Sequence, residues 1–495
     1  MEVLQAWEKI LGAENVLTEH HIIDAAATAT FATKQRVLAI IRPGDRSQVQ
    51  ECIRIANEYK TAIYPISGGK NWGFGSRVPP QDGNVIMDLG RLNQIIDYNE
   101  KLAYITVQPG VTFRQVYEYL QSVKSNLFLS VIGGPPEASV IGNTLERGDG
   151  SGPLGDRFAH VCGLEVILPT GECIHTGFGR FGDAQTTRLA RWGVGPYLDG
   201  IFTQSNLGIV TQMTVWLLPI PKYYQTFSCR VNDYADLARL LDSVQTLILQ
   251  GTIPESCFYI WNCYKVIAKQ GRYPWKVTQG KTPLSLQEMK GIEPWFAGGS
   301  LFANSQGEGL AQRQIVAETL PQELQPVDFD QTDPQADGLG IPDDENIRST
   351  YWRKKTKIPQ DLNPDRDQCG VVWLCLLFPF DGQQIVEALE VIASTIKLYQ
   401  FEPNLGMNCI SARTVRLFIA IMYDREVSEA DTQAMACHDQ LLEWLLAAGY
   451  IPDRLGIQSM NSLPPAQDDY AQFMRNLKQN LDPKNILAPG RYDRF

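Results

Sequence analysis

Short apolar runs and amphipathic stretches alternate along the first 220 residues. Residues 37–41 and 62–66 are compact apolar runs, which predict buried strands, and residues 45–59 carry apolar side chains at helical spacing. The chain therefore begins with a strand, a helix and a second strand. The same reasoning predicts a helix at 112–122 and strands at 84–89, 103–111, 163–168 and 209–218.

The pattern continues beyond residue 220. It predicts strands at 227–231, 256–261, 370–378 and 415–423, and helices at 234–249, 382–399, 429–448 and 466–480. Repeated strand–helix–strand order indicates an antiparallel sheet with helices on one face. Residues 322–357 are rich in Pro, Asp, Gln and Gly and lack periodicity, which predicts an extended loop; a lid and a disordered insertion both fit this composition.

Composition narrows the class of protein. The chain has 495 residues, more than the roughly 250–300 at which one core stops growing, so we expect two domains. A net charge of −11 argues against nucleic acid or an anionic membrane as partner. Without a signal-peptide pattern or an apolar run of about 18 residues, a cytoplasmic protein is expected. The 10 scattered cysteines favour reduced thiols over disulfides or a metal site.

A glycine-rich loop follows the second predicted strand. In residues 65–76, PISGGKNWGFGS, the glycines let backbone N–H groups approach a ligand closely, as phosphate-binding loops do. The loop lacks GxxxxGK[ST], and no GxGxxG motif opens a helix, so P-loop and Rossmann sites are disfavoured.

The loop is one of several ordered motifs that resemble those of the vanillyl-alcohol oxidase and 4-cresol dehydrogenase family. The others are the turn VQPGV at 107–111 and the segments 133–148, 195–210 and 481–492. The resemblance implies an α+β fold, with a PCMH-type FAD-binding domain at 1–220 and an antiparallel-sheet cap domain for the substrate at 221–440. It further implies a C-terminal segment, 441–495, that returns to the FAD domain, and a homodimer formed through the cap.

The resemblance also implies which residues hold FAD. These are Pro65, Ser67, Gly68, Gly69, Lys70, Asn71, Gly73, Phe74, Gly75, Pro109, Gly110, Gly134, Gly142, Asn143, Arg147, Gly148, Gly208, Ile209, Val210 and Arg491. Asp156 and Arg157 are expected to support the loop beside the cofactor.

Two charged residues are the candidates for chemistry. A flavin that takes a hydride at N5 becomes anionic near N1 and O2, so a base near the first and a cation near the second are favourable. The resemblance puts Glu146 near N5, as a base toward a substrate hydroxyl or as an electrostatic influence on the flavin. A structural turn contact with Arg147 is the alternative. Arg454 falls where the family binds a substrate phenolate and faces the flavin, with a surface ion pair as the alternative.

The chain departs from the family at two phenolate-binding positions. Asp453 and Phe74 stand where tyrosines are expected. Because a phenolate without hydrogen-bond donors is costly to bury, the departure indicates a different substrate. We expect hydride removal from an alcohol or benzylic carbon of a small organic substrate, with oxygen or another molecule as electron acceptor. A non-phenolic alcohol, amine or hydroxy-acid dehydrogenase and a non-catalytic flavin-binding protein are the alternatives.

The sequence also indicates how FAD is attached. Many family members link it to a His or Tyr of the cap domain, but residues 368–375 contain neither, and Lys70 takes the place of a linking histidine in related loops. Non-covalent FAD is therefore expected, with Cys369 either a thiol link or a buried cysteine. His160 and His175 are expected to be structural. Four tryptophans could line a pocket or belong to the core: Trp72, Trp192, Trp261 and Trp373.

Overall fold

Four β-sheets organise the part of the chain described by this computed structural model, which comprises residues 2–280, 291, 293–321, 324, 327–330, 339–464 and 466–493. The strands are β1 (Val16–Leu17), β2 (Val37–Ile41), β3 (Ile63–Ile66), β4 (Asn84–Asp88), β5 (Ile95–Asn99), β6 (Tyr104–Val107), β7 (Leu127–Phe128), β8 (Val161–Ile167), β9 (Cys173–His175), β10 (Ile209–Trp216), β11 (Leu218–Pro219), β12 (Tyr223–Val231), β13 (Phe258–Asn262), β14 (Trp295–Ala303), β15 (Asp328–Phe329), β16 (Cys369–Pro379), β17 (Asn404–Cys409), β18 (Thr414–Asp424) and β19 (Pro452–Arg454). The α-helices are Glu2–Leu11, His20–Ala26, Arg46–Tyr59, Phe113–Ser122, Val140–Leu145, Tyr234–Leu249, Cys263–Gln270, Trp275–Thr278, Gln306–Thr319, Glu345–Arg348, Gly382–Leu398, Ala430–Ala447 and Asp469–Leu481.

The first sheet has the order β1-β2-β4-β3, with β2 and β3 both parallel to the strand between them, β4. Helix Arg46–Tyr59 makes the crossover from β2 to β3, and the Asp45 side chain caps it by accepting a 2.9 Å hydrogen bond from the Gln48 amide. The glycine loop leaves the end of β3. It therefore emerges at one edge of the sheet, where the backbone is free of sheet hydrogen bonds.

The second sheet is antiparallel, in the order β5-β6-β10-β8-β9. The strand predicted at 103–111 ends at Val107 because the Pro109–Gly110 turn follows it. The Gly110 amide bonds the Leu92 carbonyl at 2.7 Å, and a Cβ at this glycine would lie 2.3 Å from the Gly90 carbonyl oxygen. Only glycine fits this close approach. A capping box formed by Thr112 and Gln115 then starts helix Phe113–Ser122.

The largest sheet is antiparallel, with eight strands in the order β15-β12-β14-β13-β17-β18-β16-β19. On β16, Val372, Leu374 and Leu376 pack into a core formed with helices that include Tyr234–Leu249 and Gly382–Leu398. The alternate residues of β16 point to the opposite face. This architecture confirms the expected α+β fold with an antiparallel sheet covered by helices.

The segment 322–357 contains more structure than the sequence indicated. Of its described residues, β15 pairs with β12 at the sheet edge, and helix Glu345–Arg348 places Ile347 among buried apolar residues. Ile347 packs against buried apolar residues outside the helix, which fixes this part of the segment to the rest of the fold. The remainder of the predicted loop lies outside the described residues.

The last segment of the chain contacts two of the sheets. β19 pairs with β16 through Arg454 and Cys375. Further on, Ile63 on β3 exchanges 2.7 Å backbone hydrogen bonds with Ile486 and Ala488. These bonds place Arg491 beside Tyr64, to whose hydroxyl it donates at 2.9 Å. Within the described parts of the chain, no helix combines the length and apolar character needed to cross a membrane.

Candidate active site

A cavity of about 580 Å³ lies between the glycine loop and the open face of the eight-stranded sheet. This volume is in the range of small-molecule sites in proteins. The cavity brings together both predicted catalytic residues, Glu146 and Arg454, with most of the predicted cofactor residues. The latter are Pro65, Ser67, Gly68, Gly69, Lys70, Asn71, Phe74, Gly134, Gly142, Asn143, Gly148, Gly208, Ile209, Val210 and Arg491.

Five predicted cofactor residues are not part of the cavity wall and instead support it. A Cβ on Gly73 would lie 1.8 Å from Trp373, and one on Gly75 would lie 2.5 Å from Ile457. The Pro109 carbonyl accepts a 2.6 Å hydrogen bond from Ser139, whose side chain caps helix Val140–Leu145. Gly110 makes the close approach to Gly90 described above. Arg147 donates a 3.1 Å hydrogen bond to Thr203.

The glycine-lined wall fits a phosphorylated cofactor. Gly69 has a φ of +63°, and a Cβ on Gly142 would lie 3.3 Å from the Ser67 hydroxyl, so side chains here would fill the space. The charged groups of the wall are four cations and two anions: Lys70, Lys265, Arg454, Arg491, Glu146 and Asp149. This excess of positive charge favours anionic ligands in the cavity. The buried Ser205 hydroxyl has no protein partner within the described chain, so it is available to a ligand.

Glu146 lies just after helix Val140–Leu145 and is held by cations from the C-terminal segment. Arg491 Nη2 donates to its Oε1, and Arg454 Nε lies 3.9 Å from its Oε2. The side chain is 14% exposed. Two neighbouring guanidinium groups stabilise the ionised carboxylate, which is the form a general base requires. The alternative turn contact is not formed, since Arg147 bonds Thr203 instead.

Arg454 is half-buried in the cavity wall rather than paired at the surface. Its guanidinium carbon lies 4.4 Å from the ring centre of Phe74, and its Nη2 donates to Asn71 Oδ1. Burial lowers the pKa of Arg454 from its ordinary value, although a guanidinium remains charged at neutral pH. The residue thus presents a fixed positive charge to the cavity beside Glu146.

Asp453 belongs to an ion-pair network. The Arg416 guanidinium lies between two carboxylates, 2.7 Å from that of Asp453 and 3.0 Å from that of Asp149. The Asn408 side-chain amide donates a 3.0 Å hydrogen bond to Asp149. The carboxylate of Asp453 therefore neutralises a buried arginine. Together with Phe74, this leaves two positions without the hydroxyl groups expected of a phenolate site.

Lys265 is a cavity residue that the sequence did not reveal. It lies on helix Cys263–Gln270, and its Nζ is 5.8 Å from the ring centre of Trp261 and 5.5 Å from that of Trp373. Burial, reinforced by the positive charge of Lys269, lowers the pKa of Lys265 to about 8. Neither motif nor periodicity distinguishes this lysine, because the aromatic groups around it come from different strands.

Of the other residues singled out from the sequence, some line the cavity and others support its wall from behind. Trp72, Trp261 and Trp373 line the cavity, whereas Trp192 is 63% exposed and does not. Arg157 is fully buried and donates to Asn143 Oδ1 at 2.9 Å and to a backbone carbonyl at 2.8 Å. It therefore supports the wall at Asn143.

The histidine and cysteine candidates lie largely outside the cavity. His160 packs near the Trp216 ring, and His175 Nε2 lies 4.0 Å from Glu165; neither lines the cavity. Cys369 is fully buried away from the wall, and burial raises the pKa of its thiol well above the usual range. Cys375, six residues further along β16 and on the same face, does line it.

Comparison with known proteins places these observations in context. A family model described as FAD binding domain matches residues 37–177. The chain is 43% identical to 1'-carboxy-chondrochloren decarboxylase of Chondromyces crocatus, over 99% of this chain and 96% of the relative. It is 28% identical to the 4-cresol dehydrogenase [hydroxylating] flavoprotein subunit of Pseudomonas putida, over 99% and 95%. A crystal structure of p-cresol methylhydroxylase with substrate bound superposes with a TM-score of 0.90 at 28% identity, covering 99% of this chain and 96% of that one.

Proposed function

Because the chain belongs to the vanillyl-alcohol oxidase and 4-cresol dehydrogenase family of FAD-linked oxidoreductases, we propose that it removes a hydride from an alcohol or benzylic carbon of a small organic substrate. The observation that carries the proposal is the Glu146 carboxylate, held between Arg491 and Arg454 on the cavity wall. FAD, when bound, supplies the hydride acceptor.

Glu146, Arg491 and Arg454 have distinct roles in this proposal. Glu146 accepts the proton of the substrate hydroxyl, or of another acidic group, as the hydride leaves the neighbouring carbon. Arg491 keeps the carboxylate ionised and oriented. Arg454 stabilises the negative charge that develops nearby, and its fixed stacking on Phe74 means that little reorganisation is needed.

The proposal also includes non-covalent FAD, held by the glycine loop with its Lys70 and by the segment at Gly142 and Asn143. No histidine lines the cavity in the part of the chain that the structure describes. Acid precipitation tests the attachment: flavin colour should pass into the supernatant. Colour retained in the pellet would mean a covalent link, and Cys375 would then be the first residue to replace, because it lines the cavity and Cys369 does not.

The direct test is anaerobic reduction of the purified, FAD-loaded protein. Benzyl alcohol, 4-hydroxybenzyl alcohol and 4-methylphenol are added in turn while the visible flavin band is followed. We expect bleaching by the non-phenolic alcohol at least as fast as by the phenols, because Phe74 and Asp453 remove two phenolate donors. A protein that takes up FAD but is bleached by no alcohol or benzylic substrate would contradict the proposal. Failure to take up FAD at all would favour a non-catalytic role.

A second candidate couples the same oxidation to loss of CO₂. It is favoured by the decarboxylase from Chondromyces crocatus, which matches nearly the whole chain at 43% identity. In such a reaction a hydride leaves one carbon, the bond between the neighbouring carbon and its carboxylate breaks, and that electron pair forms a C=C bond as CO₂ departs. Labelled CO₂ released from carboxyl-labelled 3-phenylpropanoate, in proportion to flavin bleached, would distinguish this reaction from simple alcohol oxidation.

The proposed function also requires a molecule that reoxidises the flavin, and the family resemblance implies an oligomeric state. We propose that oxygen or another small acceptor reoxidises the reduced flavin. We also propose a homodimer formed through the domain of the eight-stranded sheet, as the family resemblance implies. Oxygen consumption during turnover and sedimentation velocity of the purified protein test these two points.

A further inference from the structure

One row of residues crosses the open face of the eight-stranded sheet. The strand register aligns Trp261 with Gly406, Gly406 with Phe418, Phe418 with Cys375, and Cys375 with Arg454. Side chains of aligned residues lie on the same face of a sheet. The row therefore connects the aromatic end of the cavity to the arginine beside Glu146.

The glycine in this row makes room for Lys265. A Cβ on Gly406 would lie 2.8 Å from both Cδ and Cε of the lysine, so any larger residue would displace its side chain. The aliphatic part of the Lys265 side chain passes over Gly406, and its amine lies near the rings of Trp261 and Trp373. The local packing thus directs an amino group from a helix into the cavity.

The amine has no counter-ion on the protein. Within the described chain, the half-buried Lys265 forms neither an ion pair nor a hydrogen bond through its Nζ, which lies beside two indole rings. Lys269, one turn later on the same helix, differs in this respect because its Nζ lies 3.2 Å from Glu345. Cation–π contacts compensate only part of the cost of removing an ammonium group from water. An anion supplied by a ligand would compensate the rest.

We propose that Lys265 binds a carboxylate of the substrate, so that the preferred substrates are carboxylic acids with an aromatic or other apolar body. This inference rests on the proposed function, since it names the substrate class of the same cavity. The indole rings of Trp261 and Trp373 pack on the apolar body, and the ammonium group forms a charge-assisted hydrogen bond with the carboxylate.

The dimensions of the row agree with a small acid. Gly406 and Arg454 are separated by three strand spacings, roughly 14 Å between backbones, and the long lysine and arginine side chains shorten that gap. Phe418 and Cys375 form a largely apolar floor between them. A molecule with one aromatic ring and a short acid side chain can therefore contact Lys265 while its reactive carbon lies toward Glu146.

The test compares acids with their neutral amides on the FAD-loaded protein. Benzoate, phenylacetate and 3-phenylpropanoate, each paired with its amide, are titrated at about pH 7 while the flavin absorption spectrum reports binding. We expect at least one acid to bind about ten- to hundredfold more tightly than its amide, the range of a charge-assisted hydrogen bond. Lys265→Met should abolish this preference, Lys265→Arg should retain part of it, and Lys269→Met should leave it unchanged.

The outcomes separate this inference from the proposed function. If the wild-type protein binds none of the acids more tightly than its amide, or if Lys265→Met keeps the preference, the inference is overturned. Bleaching of the flavin by neutral alcohols would still support the proposed function in that case. Conversely, an acid preference that depends on Lys265 in a protein whose flavin no substrate reduces would support the carboxylate site and contradict the proposed oxidation.

Discussion

Replacement of Glu146 by Gln tests the proposed chemistry with the smallest change of shape. The variant keeps the length and planarity of the side chain but removes its charge and its ability to accept a proton. Because the Glu146 side chain contacts Arg491, Arg454 and the Tyr492 hydroxyl rather than the glycine loop, we expect FAD binding to persist. The effect should therefore appear in flavin reduction.

The size of the effect follows from the role assigned to the carboxylate. A positioned general base contributes about 10²- to 10⁴-fold to a rate, which corresponds to roughly 3–5 kcal/mol of activation free energy. Two cations also lose a neutralising partner, so the free energy of unfolding should fall by about 1–2 kcal/mol. The rate loss and the stability loss are measured separately, by anaerobic stopped-flow reduction and by thermal unfolding.

Glu165 provides the matched control. It is a buried glutamate of the same half of the chain, paired with Arg46 at 3.1 Å, and it does not line the cavity. Glu165→Gln should lower thermal stability to a similar extent while leaving the reduction rate per bound FAD unchanged. If Glu146→Gln reduces its flavin at the wild-type rate, or if both variants slow reduction equally, the assignment of Glu146 as a base is wrong.

Three further predictions concern packing, pH and the cofactor. Gly73→Ala should lower the melting temperature more than Gly83→Ala: both glycines have a positive φ, of +79° and +76°, but only at Gly73 would the new Cβ collide with an indole ring, at 1.8 Å, adding about 1–3 kcal/mol. The acid-over-amide preference should be complete at about pH 7 and disappear as the pH rises through the Lys265 pKa of about 8, since the amine is charged only below that value. Burial raises the pKa of the Cys375 thiol, so that group stays neutral over this range, and an unchanged preference at about pH 10 would contradict an ammonium contact. Acid precipitation should release all flavin, and flavin in the pellet would contradict non-covalent binding.

Much of the fold and part of the site could be predicted from local patterns. Helix Tyr234–Leu249 and strand β2 lie where the apolar spacing put them, because a face that must be buried repeats with the period of its backbone. The glycine loop was recognisable for a similar reason: a close approach of backbone to ligand excludes side chains. Glu146 was identified within one of the ordered motifs and Arg454 through the family resemblance, and both lie on the cavity wall.

The amino-acid sequence by itself thus determined the family, the order of elements and the glycine-lined wall, since each depends on short-range patterns or on motifs in fixed order. Only the tertiary structure decided which distant charges meet. Arg491 bonds a glutamate 345 positions away, and Asp453 is occupied by Arg416 because β19 and β18 flank β16 in the sheet. Lys265 becomes a cavity residue because strand register brings Gly406 beneath it and two tryptophans around it. Register and strand order are set by the packing of the whole sheet, which no local pattern encodes.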